Sequence, residues 1–158
     1  MNLDINTEKG QETLVYEQKL IDIVHRYKEG IEIKPTDKKG IAVVDGIIYN
    51  NGELLGISEH KCRNLTLKEL KELKTWLITY EKLKKARLIS KLLHCHLYGL
   101  VYLVPDNLVL KWHIANRKGE FLFDFNVYYS ETKRSVNGGR IHRFNAYLPI
   151  KHAEIINL

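Results

Sequence analysis

A small set of acidic and basic side chains interrupts an apolar stretch in the first half of this 158-residue chain. Asp45 stands within the run from Ile41 to Ile48, and Glu59 and Lys61 lie one residue apart in the following β-rich segment. A carboxylate inside a buried strand is costly unless hydrogen-bond donors or a cation compensate it. Because side chains alternate between the two faces of a strand, Glu59 and Lys61 are predicted to share one face.

The turn signal between these positions predicts that the three side chains meet. Residues 50–52, Asn-Asn-Gly, separate two β-rich runs, which is typical of a hairpin that places Asp45 beside Glu59 and Lys61. Two carboxylates can hold a hard cation, Mg²⁺ with Mn²⁺ as a substitute, and an ammonium can position water or stabilise phosphoryl charge. The pattern favours metal-dependent phosphodiester hydrolysis. A structural ion pair between Asp45 and Lys61 in an ordinary α/β domain is the alternative.

The elements that must position this set begin with a helix. Apolar residues recur at helical spacing over residues 11–28, and Gly30 ends the pattern. Three strands are predicted to follow, at residues 31–34, 40–49 and 53–61. A capping box then opens a helical region over residues 66–98, as one long helix or as two helices with a break near Tyr80.

The rest of the chain has a β-rich pattern. Residues 97–104 form a continuous apolar run, which is typical of a strand buried on both faces. Further strands are predicted at residues 108–115, 120–129 and 140–150. No repeat, low-complexity tract or linker divides the chain, so one single domain is expected over residues 1–158.

The order Asp45, then Glu59-His60-Lys61, on a hairpin between two helices resembles the PD-(D/E)xK nuclease superfamily. This superfamily includes restriction enzymes, Holliday-junction resolvases and some homing endonucleases. Val44 stands where the family often has a proline. The resemblance implies that Asp45 and Glu59 bind Mg²⁺ and that Lys61 organises the nucleophilic water.

The resemblance also implies a fold. It is an α/β fold with a restriction-endonuclease-like αβββαβ core and a mixed central sheet, over about residues 11–104. Residues 105–158 are not covered and are expected to form a β-rich extension that contacts DNA or a second subunit.

A third carboxylate is expected to assist the metal site. Glu17 lies on the helical line of Leu14, Ile21 and Val24, so it points to the apolar side of the first helix, where a random charge is disfavoured. The resemblance implies that a glutamate of this helix joins the metal site, and Glu17 is the residue that matches. Glu12, outside the apolar line, is the alternative.

The cations lie late in the chain. Residues 1–60 carry 7 Lys and Arg against 11 Asp and Glu, and residues 61–158 carry 18 against 8. A basic surface favours a polyanionic partner, although such runs are often only solvated faces or sheet-edge protection. The predicted DNA contacts are Lys82, Lys85, Arg87 and Lys91 in the helical region and Lys133, Arg134, Arg140 and Arg143 in the last hairpin.

The remaining composition narrows the function class. No signal peptide or membrane-spanning run is visible, which predicts an intracellular, cytoplasmic protein without membrane contact. Cys62 and Cys95 are expected to be reduced packing residues, because two thiols in a cytosolic chain do not imply a disulfide framework. The spacing of the His and Cys residues does not fit a zinc site. Trp76 and Trp112 are predicted to be core aromatics.

The sequence therefore predicts a Mg²⁺-dependent endonuclease that acts on duplex or branched DNA. A homodimer or higher homo-oligomer is expected, because cleavage of both strands needs two active sites. The alternatives are a nucleic-acid-binding protein with the same fold and no catalysis, and a structure-directed ribonuclease. Resolvase, homing and restriction roles stay open.

Overall fold

The computed structural model describes residues 7–37, 42–133 and 140–157. Three α-helices lie in these ranges, α1 at Glu8–Tyr27, α2 at Leu67–Leu73 and α3 at Tyr80–Leu93. The described strands are β1 Ile31–Pro35, β2 Gly46–Asn50, β3 Glu53–Arg63, β4 Thr75–Thr79, β5 His96–Leu103, β6 Leu108–Ala115, β7 Asn126–Lys133, β8 Arg140–Pro149 and β9 Ala153–Ile156. A short 3-10 helix, Ile150–His152, precedes β9. The chain is thus a mixed α/β protein.

The central layer is a six-stranded sheet in the order β1-β2-β3-β5-β6-β9. Its strands pair antiparallel except for β3 and β5, which are parallel and are connected through α2, β4 and α3. In the β3–β5 register, Glu59 lies opposite Gly99 and Lys61 opposite Val101. A second sheet of three antiparallel strands has the order β4-β8-β7.

Two hydrophobic cores cover the two faces of the central sheet. On one face, α1 packs Leu20 and Val24 against Leu100 and Tyr102 of β5. On the other face, α3 and the second sheet pack residues such as Leu83 against the apolar side chains of β5 and β6. Since successive side chains of β3 point to opposite faces, this strand serves both layers.

The predicted hairpin is confirmed, but its first strand is shorter than expected. β2 begins at Gly46, so Asp45 lies in the bend directly before the strand and not inside it. The turn has positive φ at Asn51 (49°) and Gly52 (82°), the backbone geometry that Asn-Gly favours. Asp45 therefore reaches the sheet edge from a bend, where its carboxylate is easier to hydrate than in a central strand.

The predicted helical region contains an extra strand. The left-handed backbone of Lys74 (φ 67°) ends α2, and residues 75–79 form β4, which pairs with β8. A break near Tyr80 is observed, since α3 begins at that residue. The strand was missed because its partner lies about seventy positions later in the chain, beyond the reach of local periodicity.

The segment after residue 104 contributes to both sheets. β6 occupies the predicted residues 108–115, whereas the strand predicted at 120–129 lies at Asn126–Lys133 and β9 was not predicted. β6 and β9 belong to the central sheet, so the β-rich C-terminal part supplies its far edge. None of the described helices is both long and apolar enough to span a membrane.

A close contact beside Glu59 yields a stability prediction. A Cβ at Gly99 would lie 2.5 Å from Cζ3 of Trp76 and 3.1 Å from Cδ1 of Ile114. Trp76 packs on Trp112, with ring centroids 4.9 Å apart, and has little room to move. Gly99→Ala should lower the free energy of unfolding by about 1 to 3 kcal/mol in urea denaturation, because overpacking strains a dense core.

A double variant separates this steric contact from a general strand effect. Gly99→Ala combined with Trp76→Phe should lose less stability than the sum of the two single changes, because the smaller ring leaves room for the methyl group. Strict additivity would contradict the proposed collision.

Candidate active site

Asp45 is held firmly at the start of β2. Its backbone N–H donates to the carbonyl of Ser58 (2.9 Å), and its own carbonyl accepts from the N–H of Thr36 (2.9 Å). The carboxylate atom Oδ2 accepts a hydrogen bond from the backbone N–H of His60 at 2.8 Å. About a quarter of the side chain is exposed (24%), so the carboxylate faces solvent while its position is set by β1 and β3.

Glu59 lies in the middle of β3 and its side chain is fully buried, with an exposed fraction of 0%. Oε2 forms an ion pair with Nζ of Lys82 at 2.8 Å, but neither Oε1 nor Oε2 accepts a hydrogen bond of accepted geometry within the described part of the chain. Burial raises the pKa of Glu59 to about 8, although the Lys82 ammonium lowers it, and the charge of Asp45 acts in the same direction as burial. A buried carboxylate oxygen without a partner is a strong candidate ligand for a cation.

Lys61 follows two positions later on the same unbroken strand, so it shares the face of Glu59. Burial lowers the pKa of Lys61 to about 8, and the charges of Lys82 and Arg63 act in the same direction, while Asp45 and Glu59 oppose it. A lysine with a pKa near 8 exchanges a proton near neutral pH, which an ordinary lysine does not.

Lys82, which the sequence predicts as a DNA contact, lies beside the two carboxylates of this site. Its Nζ lies 2.8 Å from Oε2 of Glu59 and 3.6 Å from Oδ2 of Asp45, and a third of the side chain is exposed. Burial alone would lower the pKa of Lys82, but the two carboxylates outweigh it and raise the pKa. The sequence contains one signal for this placement. Lys82 lies four positions before Ala86, a buried residue of α3, so both side chains lie on the same side of the helix.

Glu17 is buried as expected, but the structure pairs it with His60 and not with the other carboxylates. Oε1 of Glu17 lies 3.0 Å from Nδ1 of His60, and Oγ of Ser58 lies 2.7 Å from Nε2. Because a carboxylate only accepts, Nδ1 of His60 donates to Glu17 and Nε2 accepts from Ser58. Ser58 and His60 flank Glu59 on β3, so their side chains point to the opposite face of the sheet from Glu59. The hydrogen-bonded series Ser58, His60 and Glu17 therefore lies on the α1 face.

This placement corrects the prediction of Glu17 as a metal ligand. Glu17 fixes the ring of His60, and the backbone N–H of His60 fixes Asp45, so Glu17 acts on the site through β3. The ring of His60 also packs closely over Gly46. A Cβ at Gly46 would lie 2.8 Å from Cε1 of His60, so a larger residue would collide with the ring. The alternative residue, Glu12, accepts a hydrogen bond from the exposed Tyr16 hydroxyl at 2.9 Å.

The other predicted DNA contacts on α3 do not form one face. Lys85, Arg87 and Lys91 are all exposed, and the guanidinium of Arg87 lies 5.0 Å from the ring centroid of Phe121. The alkyl chain of Lys91 covers Gly119, so that a Cβ added at Gly119 would lie 2.8 Å from Cβ of Lys91. Arg87 and Lys91 therefore flank the loop after β6, and only Lys85 remains near the Lys82 side of the helix.

The predicted contacts of the last hairpin lie on β7 and β8. Arg140 is exposed and 3.8 Å from Glu131, and Arg143 is half-buried. Arg134 and the side chain of Lys133 lie outside the described residues. Trp76 and Trp112 are core residues, as predicted, and the thiols of Cys62 and Cys95 are free.

Across residues 7–37, 42–133 and 140–157, no three Asp, Glu, His or Cys side chains converge as a complete metal cluster. The carboxylates that would hold a hard cation at this site are those of Asp45 and Glu59, both of which lie beside the Lys82 ammonium. Mg²⁺ commonly takes one or two carboxylates and completes its shell with water and substrate phosphate. The donor chemistry and the unpartnered Oε1 of Glu59 fit such an ion.

Comparisons with protein-family models, with curated proteins and with solved structures find no match to this chain.

The raised pKa of Glu59 predicts a pH dependence of stability. Between its ordinary value of 4.5 and about 8, the folded state binds a proton that the unfolded state has lost, so the free energy of unfolding falls as pH rises through this window. Glu59→Gln should remove a fall on the order of 1 to 3 kcal/mol between pH 5 and pH 8, measured by urea denaturation.

The matched control is Glu72→Gln, a change at an exposed position of α2 that should leave the wild-type pH dependence intact. If Glu59→Gln retains the wild-type slope, the carboxyl group does not hold a proton in the folded protein.

Proposed function

We propose that this chain is a Mg²⁺-dependent DNA endonuclease of the PD-(D/E)xK type. The observation that carries the proposal is the convergence of Asp45 with the buried Glu59, whose Oε1 lacks a partner within the described residues, next to Lys61 on the same face of β3. Carboxylates placed in this way can bind a hard cation. The neighbouring lysine can position the attacking water or accept its proton.

The order of elements supports the same proposal. A helix, an antiparallel hairpin system, a helical crossover and a strand parallel to β3 follow one another as α1, β1 to β3, α3 and β5. This order agrees with the αβββαβ pattern of the superfamily, with α2 and β4 inserted before α3. In this proposal Asp45, directly before the second strand, and Glu59, within the third, correspond to the Asp and Glu of the superfamily motif.

The mechanism follows from the properties of these side chains. Asp45 and Glu59 would hold Mg²⁺ or Mn²⁺, which supplies Lewis-acid polarisation of the phosphate and neutralises developing charge. Lys61, with a pKa near 8, accepts or directs the proton of the attacking water. Water adds to phosphorus, the P–O bond to the leaving oxygen breaks, and the products are a phosphomonoester and a free hydroxyl.

Lys82 has a distinct role in this proposal, because its ammonium and a metal ion compete for the same carboxylate oxygens. Its partly exposed side chain lets it withdraw from Glu59 and contact a substrate phosphate. The sheet keeps Glu59 in place whether the cation beside it is Lys82 or the metal.

The main test is cleavage of supercoiled plasmid and of a synthetic four-way junction in Mg²⁺ or EDTA. Asp45→Asn and Lys61→Met should each reduce the Mg²⁺-dependent rate by about 100-fold or more, because they remove a ligand and a proton acceptor. Asp22→Asn, at an exposed carboxylate of α1, is the matched control and should cleave normally. Wild-type rates in both site variants would contradict the assignment.

Metal binding gives a second test that does not depend on cleavage. Lys82→Gln should strengthen Mg²⁺ binding in calorimetry by about 10-fold, because the competing charge beside Glu59 is removed. Lys84→Gln is the control, since Lys84 pairs with the exposed Glu81 at 2.7 Å. Unchanged affinity in Lys82→Gln would show that the ion does not bind at these oxygens.

The alternative is a nucleic-acid-binding protein without catalysis, which the excess of cations after residue 60 favours. Tight binding in EDTA without cleavage in Mg²⁺ would select it, and preference for RNA in the same assay would select a ribonuclease. The main proposal includes a homodimer or higher homo-oligomer, because cutting both strands of a duplex requires two active sites. It also includes an intracellular location.

A further inference from the structure

The hairpin of β7 and β8 extends beyond the body of the protein. β4 ends at Thr79, opposite Asn145, so β8 residues from Phe144 back to Arg140 pair with β7 and have no β4 partner. This two-stranded part of the hairpin, formed by residues 129–133 and 140–144, is called the ribbon below.

Three rings lie together on one face of the ribbon. Tyr129 lies opposite Phe144 in the strand register, and their ring centroids are 5.2 Å apart. His142 stacks on Tyr129 with centroids 5.7 Å apart and planes inclined by 27°. The rings of Tyr129 and Phe144 are more than half exposed, at 62% and 56%.

The exposure of these rings follows from where the core ends. Val127 and Ala146, one step closer to the body on the same face, pack against the core. At Tyr129 and Phe144 the strands have left the core, yet the apolar pattern of that face continues. Large exposed aromatic residues in contact with one another, away from any core, are typical of a recognition surface.

The charge around the rings favours a polyanion. The sequence of residues 129–144 contains four Lys and Arg residues and a single acidic residue, Glu131. On the face of the rings, the Glu131 carboxylate lies 3.8 Å from Arg140 and 3.9 Å from His142. Cationic and aromatic side chains interleaved on a ribbon are suited to a backbone of phosphates with accessible bases.

The ribbon begins beside the candidate active site. Thr79, which pairs with Asn145, directly precedes α3, and Lys82 lies in the first turn of that helix. α3 also packs against β8. A strand of nucleic acid that lies along the ribbon would therefore enter the site from the Lys82 side.

We propose that Tyr129 and Phe144 form a stacking platform for unpaired bases, so that the preferred substrate is DNA with single-stranded segments, such as a forked or branched duplex. The inference rests on the proposed nuclease function. In a continuous duplex each base is covered by its neighbours, whereas an unpaired base presents a free face to an exposed ring.

The test measures the binding of fluorescein-labelled oligothymidine and of a blunt duplex by fluorescence anisotropy in EDTA, where cleavage does not occur. Tyr129→Ala and Phe144→Ala should each weaken oligothymidine binding by about 10-fold and leave duplex binding unchanged. Tyr129→Phe should retain the affinity, since the ring is kept. Tyr128→Ala is the matched control, because Tyr128 is equally exposed (56%) but lies on the opposite face of β7, against Tyr147.

Equal losses on oligothymidine and duplex would overturn the platform and indicate a general phosphate surface. Unchanged affinity for both would overturn it as well. If light scattering shows a dimer that dissociates in Tyr129→Ala, the rings are a subunit contact and the inference is wrong. Thermal unfolding of each variant checks that the fold is retained.

Cleavage assays distinguish this inference from the proposed function. Mg²⁺-dependent cutting by the wild type, without selective loss of forked-substrate cleavage in Tyr129→Ala and Phe144→Ala, would overturn the platform alone. Ring-dependent binding of oligothymidine without any cleavage would retain the platform and overturn the nuclease.

Discussion

The burial of the Glu59 carboxylate in the central sheet is the constraint on which the rest of the site depends. A charged group with no exposed surface is unfavourable unless a cation or donors accompany it, and here the ammonium of Lys82 approaches to 2.8 Å. The compensation is incomplete, since burial still raises the pKa of Glu59 to about 8. Neither carboxylate oxygen of Glu59 has a hydrogen bond of accepted geometry within the described residues, and a hard cation would supply the missing partner.

The side chains of β3 alternate between two faces, so the strand places the candidate-site residues on one face and the residues that position them on the other. Glu59 and Lys61 point to the α3 face, while Ser58 and His60 point to the α1 face, where Glu17 receives the hydrogen bond of His60. The two faces are connected through the backbone, because the N–H of His60 holds Oδ2 of Asp45. The buried polar chain on one face thus determines the position of a carboxylate on the other side of the strand.

The second sheet connects the candidate active site with the ribbon. β4 precedes α3 directly and pairs with β8, so the helix that carries Lys82 and the ribbon that carries Tyr129 share one support. A displacement of β8 would therefore move the start of α3.

Local patterns by themselves determined the hairpin, the shared face of Glu59 and Lys61, the start of α3 and the bounds of β6, because turn residues and strand alternation act over a few positions. The mixed α/β class also followed from the order of such patterns. The nuclease interpretation, by contrast, is a proposal that the sequence motivates and the geometry supports.

Only the tertiary structure decided which side chains meet across elements. Lys82 was interpreted as a surface cation because helical spacing shows a stripe but not the carboxylates that face it, and Glu17 was assigned to the metal site because burial does not reveal which sheet face α1 covers. β4 is a strand because β8 pairs with it from far along the chain. Such contacts depend on packing between distant segments, which neither propensity nor periodicity encodes.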